Sequence, residues 1–305
     1  GVCTDLWGWR SVFAVVAGCT VLSLLSYPVV GALIEKTGEA SFDVVSLVLI
    51  AVAFIGLIVG AGSLGTSLPR ALLLLAVGAC FLWLFARRQS KVDHPLLSPL
   101  PMRNRSFVLG IAAVTTVFGV LINIETFMSI YIQNDQGFSP TMAALCLMPG
   151  AVLSAVIAPF TGRVLDRRGP LGLSVCGFSC LVVSGILACL VVPTTPLWYS
   201  LAVFMVRAVG NACVMQNLQT WAVNCLPSEL ITHGTSIATT ARQVGGAFIN
   251  TVLFALMGAL VASGMTELEG IRIATALSTV CVAAMGIAVV FGLACGRGRA
   301  NRPDL

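Results

Sequence analysis

Apolar runs long enough to cross a bilayer recur from one end of this chain to the other, separated by short polar breaks. A helix of about 17 to 25 apolar residues matches the hydrocarbon thickness of a membrane. Runs of this kind fall near 11–34, 44–62, 68–86, 107–133, 141–162, 171–192, 197–226, 237–263 and 271–294. In hydrocarbon each backbone amide must be bonded within the protein, so runs this long and this apolar are expected as helices. A membrane barrel would need alternating strands of about ten residues, a pattern the sequence lacks. The expected fold class is an all-α polytopic membrane protein with about nine transmembrane helices.

Composition agrees. Of 305 residues, 58% are hydrophobic and 10% charged, against roughly 25% charged in a soluble domain. The net charge of +5 is explained by where the bases sit, so it gives no argument for a nucleic-acid partner. Lys36, Arg87, Arg88, Lys91, Arg103, Arg105, Arg163, Arg167, Arg168, Arg297, Arg299 and Arg302 fall in one alternating set of loops, and only Arg10, Arg70 and Arg272 in the other. Positive loops stay in the cytoplasm. The C-terminus is therefore expected inside a plasma (inner) membrane and residue 1 outside, which requires an odd number of spans.

The chain opens in a polar stretch, Thr4-Asp5-Leu6-Trp7-Gly8-Trp9-Arg10, with no initiator Met and no basic n-region of a signal peptide. The expectation is a C-terminal part of a longer protein. The longest basic linker runs over 87–106 and holds Pro95, Pro99 and Pro101, with three spans before it and six after. Six spans with a basic loop after the second resemble half of a two-bundle transporter. The chain accordingly divides into 1–40, a last span of a preceding bundle; 41–106, two linker spans and a basic cytoplasmic loop; 107–296, a six-helix bundle; and 297–305, a cytoplasmic tail.

Several motifs have bland readings. Gly60-Ala61-Gly62-Ser63-Leu64-Gly65 matches the spacing of a dinucleotide fingerprint, but that motif requires a strand before it and an acid about twenty residues on. A flexible outer turn is expected instead. Asn104-Arg105-Ser106 is a glycosylation sequon on the cytoplasmic side, where it is not modified. Most of the eleven cysteines lie inside apolar spans, where a free Cys behaves as a small hydrophobe. Cys176 and Cys180 share a helix face without a further ligand nearby in sequence, and His94 and His233 are expected in loops. No metal and no cofactor are expected, and no nucleophile, base and oxyanion arrangement is readable.

The most informative stretch is Gly162-Arg163-Val164-Leu165-Asp166-Arg167-Arg168-Gly169-Pro170-Leu171, expected as a cytoplasmic turn. A positive-inside turn explains the arginines but not the order Gly, three residues, Asp-Arg, one residue, Gly. Asp166 is expected to stabilise the N-terminus of the following helix. This order resembles the cytoplasmic loop signature of the major facilitator superfamily, in the copy carried by the second half. Gly137-Phe138-Ser139-Pro140, Ala143-Ala144, Leu147-Met148-Pro149-Gly150, Pro159 and Gly162-Arg163 resemble the helix before that loop in the fourteen-span drug:proton antiporters of the EmrB/QacA type. Ala241-Arg242-Gln243-Val244-Gly245-Gly246 resembles the start of their penultimate helix, and Gly8-Trp9-Arg10 the entry to their sixth span.

The resemblance implies a major facilitator helical bundle whose spans six to fourteen are present. It implies a proton-coupled antiporter that exports small amphipathic or cationic compounds, with Gly162, Arg163, Asp166, Arg167, Arg168 and Gly169 as a gating loop. Its partners are the lipid bilayer, a small-molecule substrate, protons and the preceding spans. Pro170 and Leu171 stand where basic residues often follow the last Gly of the signature. A transporter of one specific metabolite, or a membrane scaffold or sensor without transport, are the alternative readings.

Ionisable groups inside spans point to the same region. A charge in the membrane costs from a few to more than ten kcal/mol unless paired or hydrated. Glu125 lies about 12 Å, and Arg207 about 15 Å, below the same outer surface by helical rise. At matching depths, Arg207 could hold Glu125 ionised until protonation or a cationic substrate breaks the pair. The competing readings are a snorkelling Glu125 and a fixed structural bridge. Gln216 and Asn217 are nominated for a wet cavity, although the polar residues Asn211, Gln216, Asn217 and Gln219 do not share one helix face. Arg242 and Gln243 are expected in helix packing, with Gln243 bonding across helices and Gly245 and Gly246 allowing close approach. Pro149 and Pro159 are expected to kink their span.

Overall fold

A computed structural model describes residues 7–8, 10–24, 43–92, 97–192 and 194–300, with the side chains of 295–300 outside the description. Among the described residues the secondary structure is helical. In chain order the helices are α1 (Arg10–Leu24), α2 (Val44–Gly62), α3 (Leu68–Gln89), α4 (Arg105–Ile130), α5 (Pro140–Arg168), α6 (Pro170–Cys189), α7 (Leu197–Asn224), α8 (Ile231–Thr240), α9 (Gly246–Ala262) and α10 (Glu267–Ala300). A π-turn, Ala241–Gly245, joins α8 to α9, and another, Tyr131–Asp135, ends α4. Among the described residues, eight spans are long and apolar enough to cross a membrane. The ninth expected span is described only up to Leu24, and its remainder lies outside the described residues.

Local chemistry sets the helix ends. Asp43 caps α2 by accepting from the Ser46 amide at 3.1 Å, and Ser139 caps α5 with Pro140 at the first helical position. Asn104 accepts from the amides of Ser106 and Phe107, and its own amide donates to the Cys225 carbonyl at 2.8 Å. The sequon asparagine is thus committed to a cap that also ties the start of α4 to the end of α7.

Two helices run differently from the sequence expectation. The residues 162–168, expected as a turn, continue α5 for another two turns, because nothing before Pro170 prevents helix. The reversal falls on Gly169 alone, at φ 75 and ψ −179, a region open essentially to Gly. Gly169 also stands ahead of α6 as its N-terminal cap residue and makes no side-chain cap bond. Likewise His233, expected in a loop, lies on α8, since 228–262 forms one continuous helical span. The glycines of 60–65 are packed rather than flexible: a Cβ on Gly60 would stand 2.9 Å from the Leu75 amide nitrogen, and one on Gly65 3.1 Å from the Ala255 carbonyl.

α2 and α3 form an antiparallel hairpin that leans on α9. In the remaining bundle, α4 packs against α7, α9 and α10, α6 packs between α7 and α10, and α5 lies along α7. Backbones approach closely at small residues: a Cβ on Gly210 would meet the Gly177 carbonyl at 2.9 Å, and one on Gly78 the Leu57 amide at 2.7 Å. Such crossings are how helices associate in lipid, where burying apolar surface gives no net drive. The main core centres on α4, with Val114, Val117, Val120, Ile124 and Met128 packed on Val203, Val214 and Leu218 of α7. Large apolar side chains such as Phe13, Leu73, Trp198 and Ile287 remain exposed, as lipid-facing surface requires. α1 buries none of its residues. α5 stays helical through Pro149 and Pro159.

Candidate functional site

Arg207 sits mid-way along α7 and is 3% exposed. Its Nη2 lies 3.5 Å from Oε1 of Glu125 on α4 and also donates to the Leu121 carbonyl one helical turn before Glu125. Its Nη1 is buried without a partner. The Glu125 side chain, by contrast, is 45% exposed. The pair foreseen from matching depths is therefore present, and it is asymmetric: the cation is enclosed and the anion faces open space. That space is a cavity of about 430 Å³ lined by Leu121, Glu125, Leu147, Ser154, Phe204, Arg207 and Asn211 among others.

A second cavity, of about 450 Å³, shares Leu121, Ser154 and Asn211 with the first. It continues past Thr161 to Gln216, Asn217, Arg242 and Gln243. Together they make one groove between α4, α5, α7 and the π-turn of 241–245. α5 is held against α7 along this groove by hydroxyls that donate to α7 carbonyls, Ser154 to Ala208 at 3.1 Å and Thr161 to Ala212 at 3.2 Å. Asn211, with its Oδ1 buried and unpartnered, stands at the junction of the two cavities.

The polar residues of α7 divide by role. Gln216 is exposed in the groove, whereas Asn217 is nearly enclosed and spends its amide on the Ala212 and Cys213 carbonyls of its own helix, at 3.0 and 3.3 Å. Gln219 accepts from Nη1 of Arg242 at 3.3 Å. The Arg242 guanidinium also lies over the Phe118 ring, 5.6 Å from its centroid, a cation–π contact. The cross-helix bond expected of Gln243 is thus made by Arg242, and Gln243 is exposed in the groove. Gly245 and Gly246 do allow close approach: a Cβ on either would come within 2.5 Å of Thr115 or Phe118.

In the expected gating loop, Arg163, Asp166, Arg167 and Arg168 are exposed along the last turns of α5, and the Arg163 guanidinium lies 5.9 Å from the Phe160 ring. The groove and this loop are separate features.

One buried polar pair escaped the sequence reading. Asn123, fully enclosed on α4, donates through Nδ2 to Oδ1 of Asn250 on α9 at 3.4 Å, and its own Oδ1 has no partner. The signal was available, since Asn123 interrupts an apolar span as Glu125 does two residues later. No group of three or more His, Cys, Asp or Glu that could hold a metal occurs among the described residues.

The family model described as Major Facilitator Superfamily matches residues 1–250. The chain is 32% identical over 265 residues to the uncharacterised MFS-type transporter YcnB of Bacillus subtilis, covering 84% of this chain and 55% of that protein. It is 30% identical to the lincomycin resistance protein LmrB of Listeria monocytogenes, again over 84% and 55%. It is 26% identical to the multidrug resistance protein Stp of Mycobacterium tuberculosis, over 87% and 49%. The chain spans about half the length of these curated relatives. With a model matched over most of its length and a bundle of apolar helices built to cross a bilayer, the chain belongs to the Major Facilitator Superfamily.

Proposed function

We propose that this chain is the C-terminal portion of a proton-coupled antiporter of the fourteen-span EmrB/QacA type, exporting small amphipathic or cationic compounds across the plasma membrane. The observation that carries the reading is the half-exposed Glu125 on a cavity wall beside the enclosed Arg207. A carboxylate in that position holds a proton, a substrate cation or the arginine, and these compete. Protonation releases Arg207, whose Nη1 already lacks a partner, and loss of the proton restores the pair. Competition of proton and cation for one acid is the minimal requirement of antiport. The relatives named for lincomycin and multidrug resistance support the substrate class.

In this reading residues 107–296 form one six-helix half, 41–106 supply the linker hairpin, and the C-terminus is cytoplasmic. The preceding bundle closes the open side of the groove, and the halves rock about it. The Asp166 segment latches the cytoplasmic side.

The test is efflux of a fluorescent cationic dye driven by a proton gradient, with the full gene product in vesicles, comparing wild type with Glu125→Gln. Loss of gradient-driven efflux is expected from a folded variant whose dye binding no longer depends on pH. Unchanged efflux would reduce the pair to a structural bridge, and a wild type that moves no dye under any gradient would favour a transporter of a single metabolite.

A further inference from the structure

Away from the groove, a cavity of about 540 Å³ opens between the α2–α3 hairpin and the α8–α9 span. Its volume falls in the range of ligand sites, about 300 to 1,000 Å³, and its wall is almost wholly apolar, with Phe54, Leu57, Phe85, Val244 and Phe248 contributing. One end is polar. There Gln89 donates to the Ser46 hydroxyl at 2.8 Å and accepts from the Leu97 amide at 3.0 Å, which draws the basic linker onto the hairpin. The lining runs from Ile50 to Leu57 along α2 and from Ile237 to Phe248 along the α8–α9 span, about 10 and 16 Å by helical rise, against about 15 Å for one leaflet's hydrocarbon.

The polar end is strongly basic. Arg103 is exposed beside the lining residue Met102, and Arg88 stands beside the lining residue Gln89. Arg87 and Lys91 are exposed nearby. The one acid described at this end, Asp43, is already engaged by Arg88 through two hydrogen bonds, at 3.1 and 3.2 Å. A long apolar slot with an uncompensated positive rim is complementary to a lipid with an anionic headgroup and a single chain turned inward. The positive-inside rule places the same rim at the cytoplasmic leaflet.

We propose that this cavity binds one anionic phospholipid of the cytoplasmic leaflet, its headgroup at Arg103 and an acyl chain between the hairpin and α9. The lipid fills the seam by which the hairpin leans on the bundle. The cavity shares no lining residue with the Glu125 groove.

The experiment is native mass spectrometry of the full gene product released from nanodiscs containing phosphatidylglycerol or phosphatidylcholine. One retained phosphatidylglycerol per chain, preferred over phosphatidylcholine, is expected. Arg103→Glu reverses an exposed rim charge and should cut that preference about tenfold. Ala86→Phe narrows the slot without altering the rim and should reduce retention of both lipids. Equal retention of the two lipids, or a preference unmoved by Arg103→Glu, would overturn the proposal. So would a wild type that retains no lipid, which would mean that the rest of the protein covers the slot.

Discussion

Arg207 and Glu125 meet at 3.5 Å from opposite surroundings, the guanidinium enclosed in the bundle and the carboxylate facing a cavity. Their removal should therefore not be equivalent. Glu125→Ala leaves a buried cation with one carbonyl for company and is expected to lower unfolding stability by about 3 kcal/mol. Arg207→Met leaves a carboxylate that cavity water reaches and is expected to cost about 1 kcal/mol or less. Thermal unfolding of the two variants in detergent compares them, and equal losses would contradict the asymmetry.

The glycines that bracket the Asp166 segment should respond in opposite ways. Gly169 lies at φ 75 and ψ −179, so Gly169→Ala is expected to destabilise by about 1 to 3 kcal/mol. Gly162 is inside α5, and a Cβ there meets nothing within 4 Å. Gly162→Ala should be neutral or stabilising by up to about 1 kcal/mol. Melting temperatures of the two variants decide it.

Asn123 and Asn250 hold α4 to α9 through one hydrogen bond. Asn250→Ala strands the enclosed amide of Asn123 and is expected to cost about 1 to 3 kcal/mol. The double variant Asn123→Leu with Asn250→Leu removes both polar groups and should be less damaging than the single alanine. A double-mutant cycle that adds the single variants Asn123→Leu and Asn250→Leu measures the coupling on unfolding free energies, and simple additivity would show that the two amides are not coupled.

At the basic end of the hairpin, the Arg88 guanidinium and the Ser46 hydroxyl and amide hold the Asp43 carboxyl well below the ordinary carboxylate range. A depressed acid contributes its stabilisation above its unfolded pKa, about 4, and loses it as pH falls through the lower folded value. The cap should thus be constant from pH 8 to pH 5 and fail only in stronger acid. Hydrogen exchange at the Ser46 amide, which donates to Asp43, should show protection unchanged over that range in the wild type and reduced at every pH in Asp43→Asn.

Much of this protein was legible as sequence because a bilayer leaves the backbone few options. Once a run such as 197–226 is apolar and long, its amides must bond along a helix, and hydropathy alone locates it. Charge separation in sequence likewise located the basic ends. The depth of Glu125 and Arg207 followed from rise per residue, which made their meeting foreseeable. Helix ends were harder, because Gly162 permits a turn without requiring one, while Gly169 and Pro170 together enforce it.

What only the tertiary structure decided is which side of each helix faces which neighbour. In an apolar span every face is nearly equally hydrophobic, so periodicity does not report rotation, and small residues at crossings such as Gly177 and Gly210 set it instead. Rotation is what makes Arg242 rather than Gln243 reach Gln219, and turns Asn217 onto its own backbone while leaving Gln216 in the groove. It also encloses Arg207 while opening Glu125 to the cavity. The spans follow from the cost of an unbonded amide in lipid, and the site follows from the packing angles of helices whose surfaces carry almost no polar information.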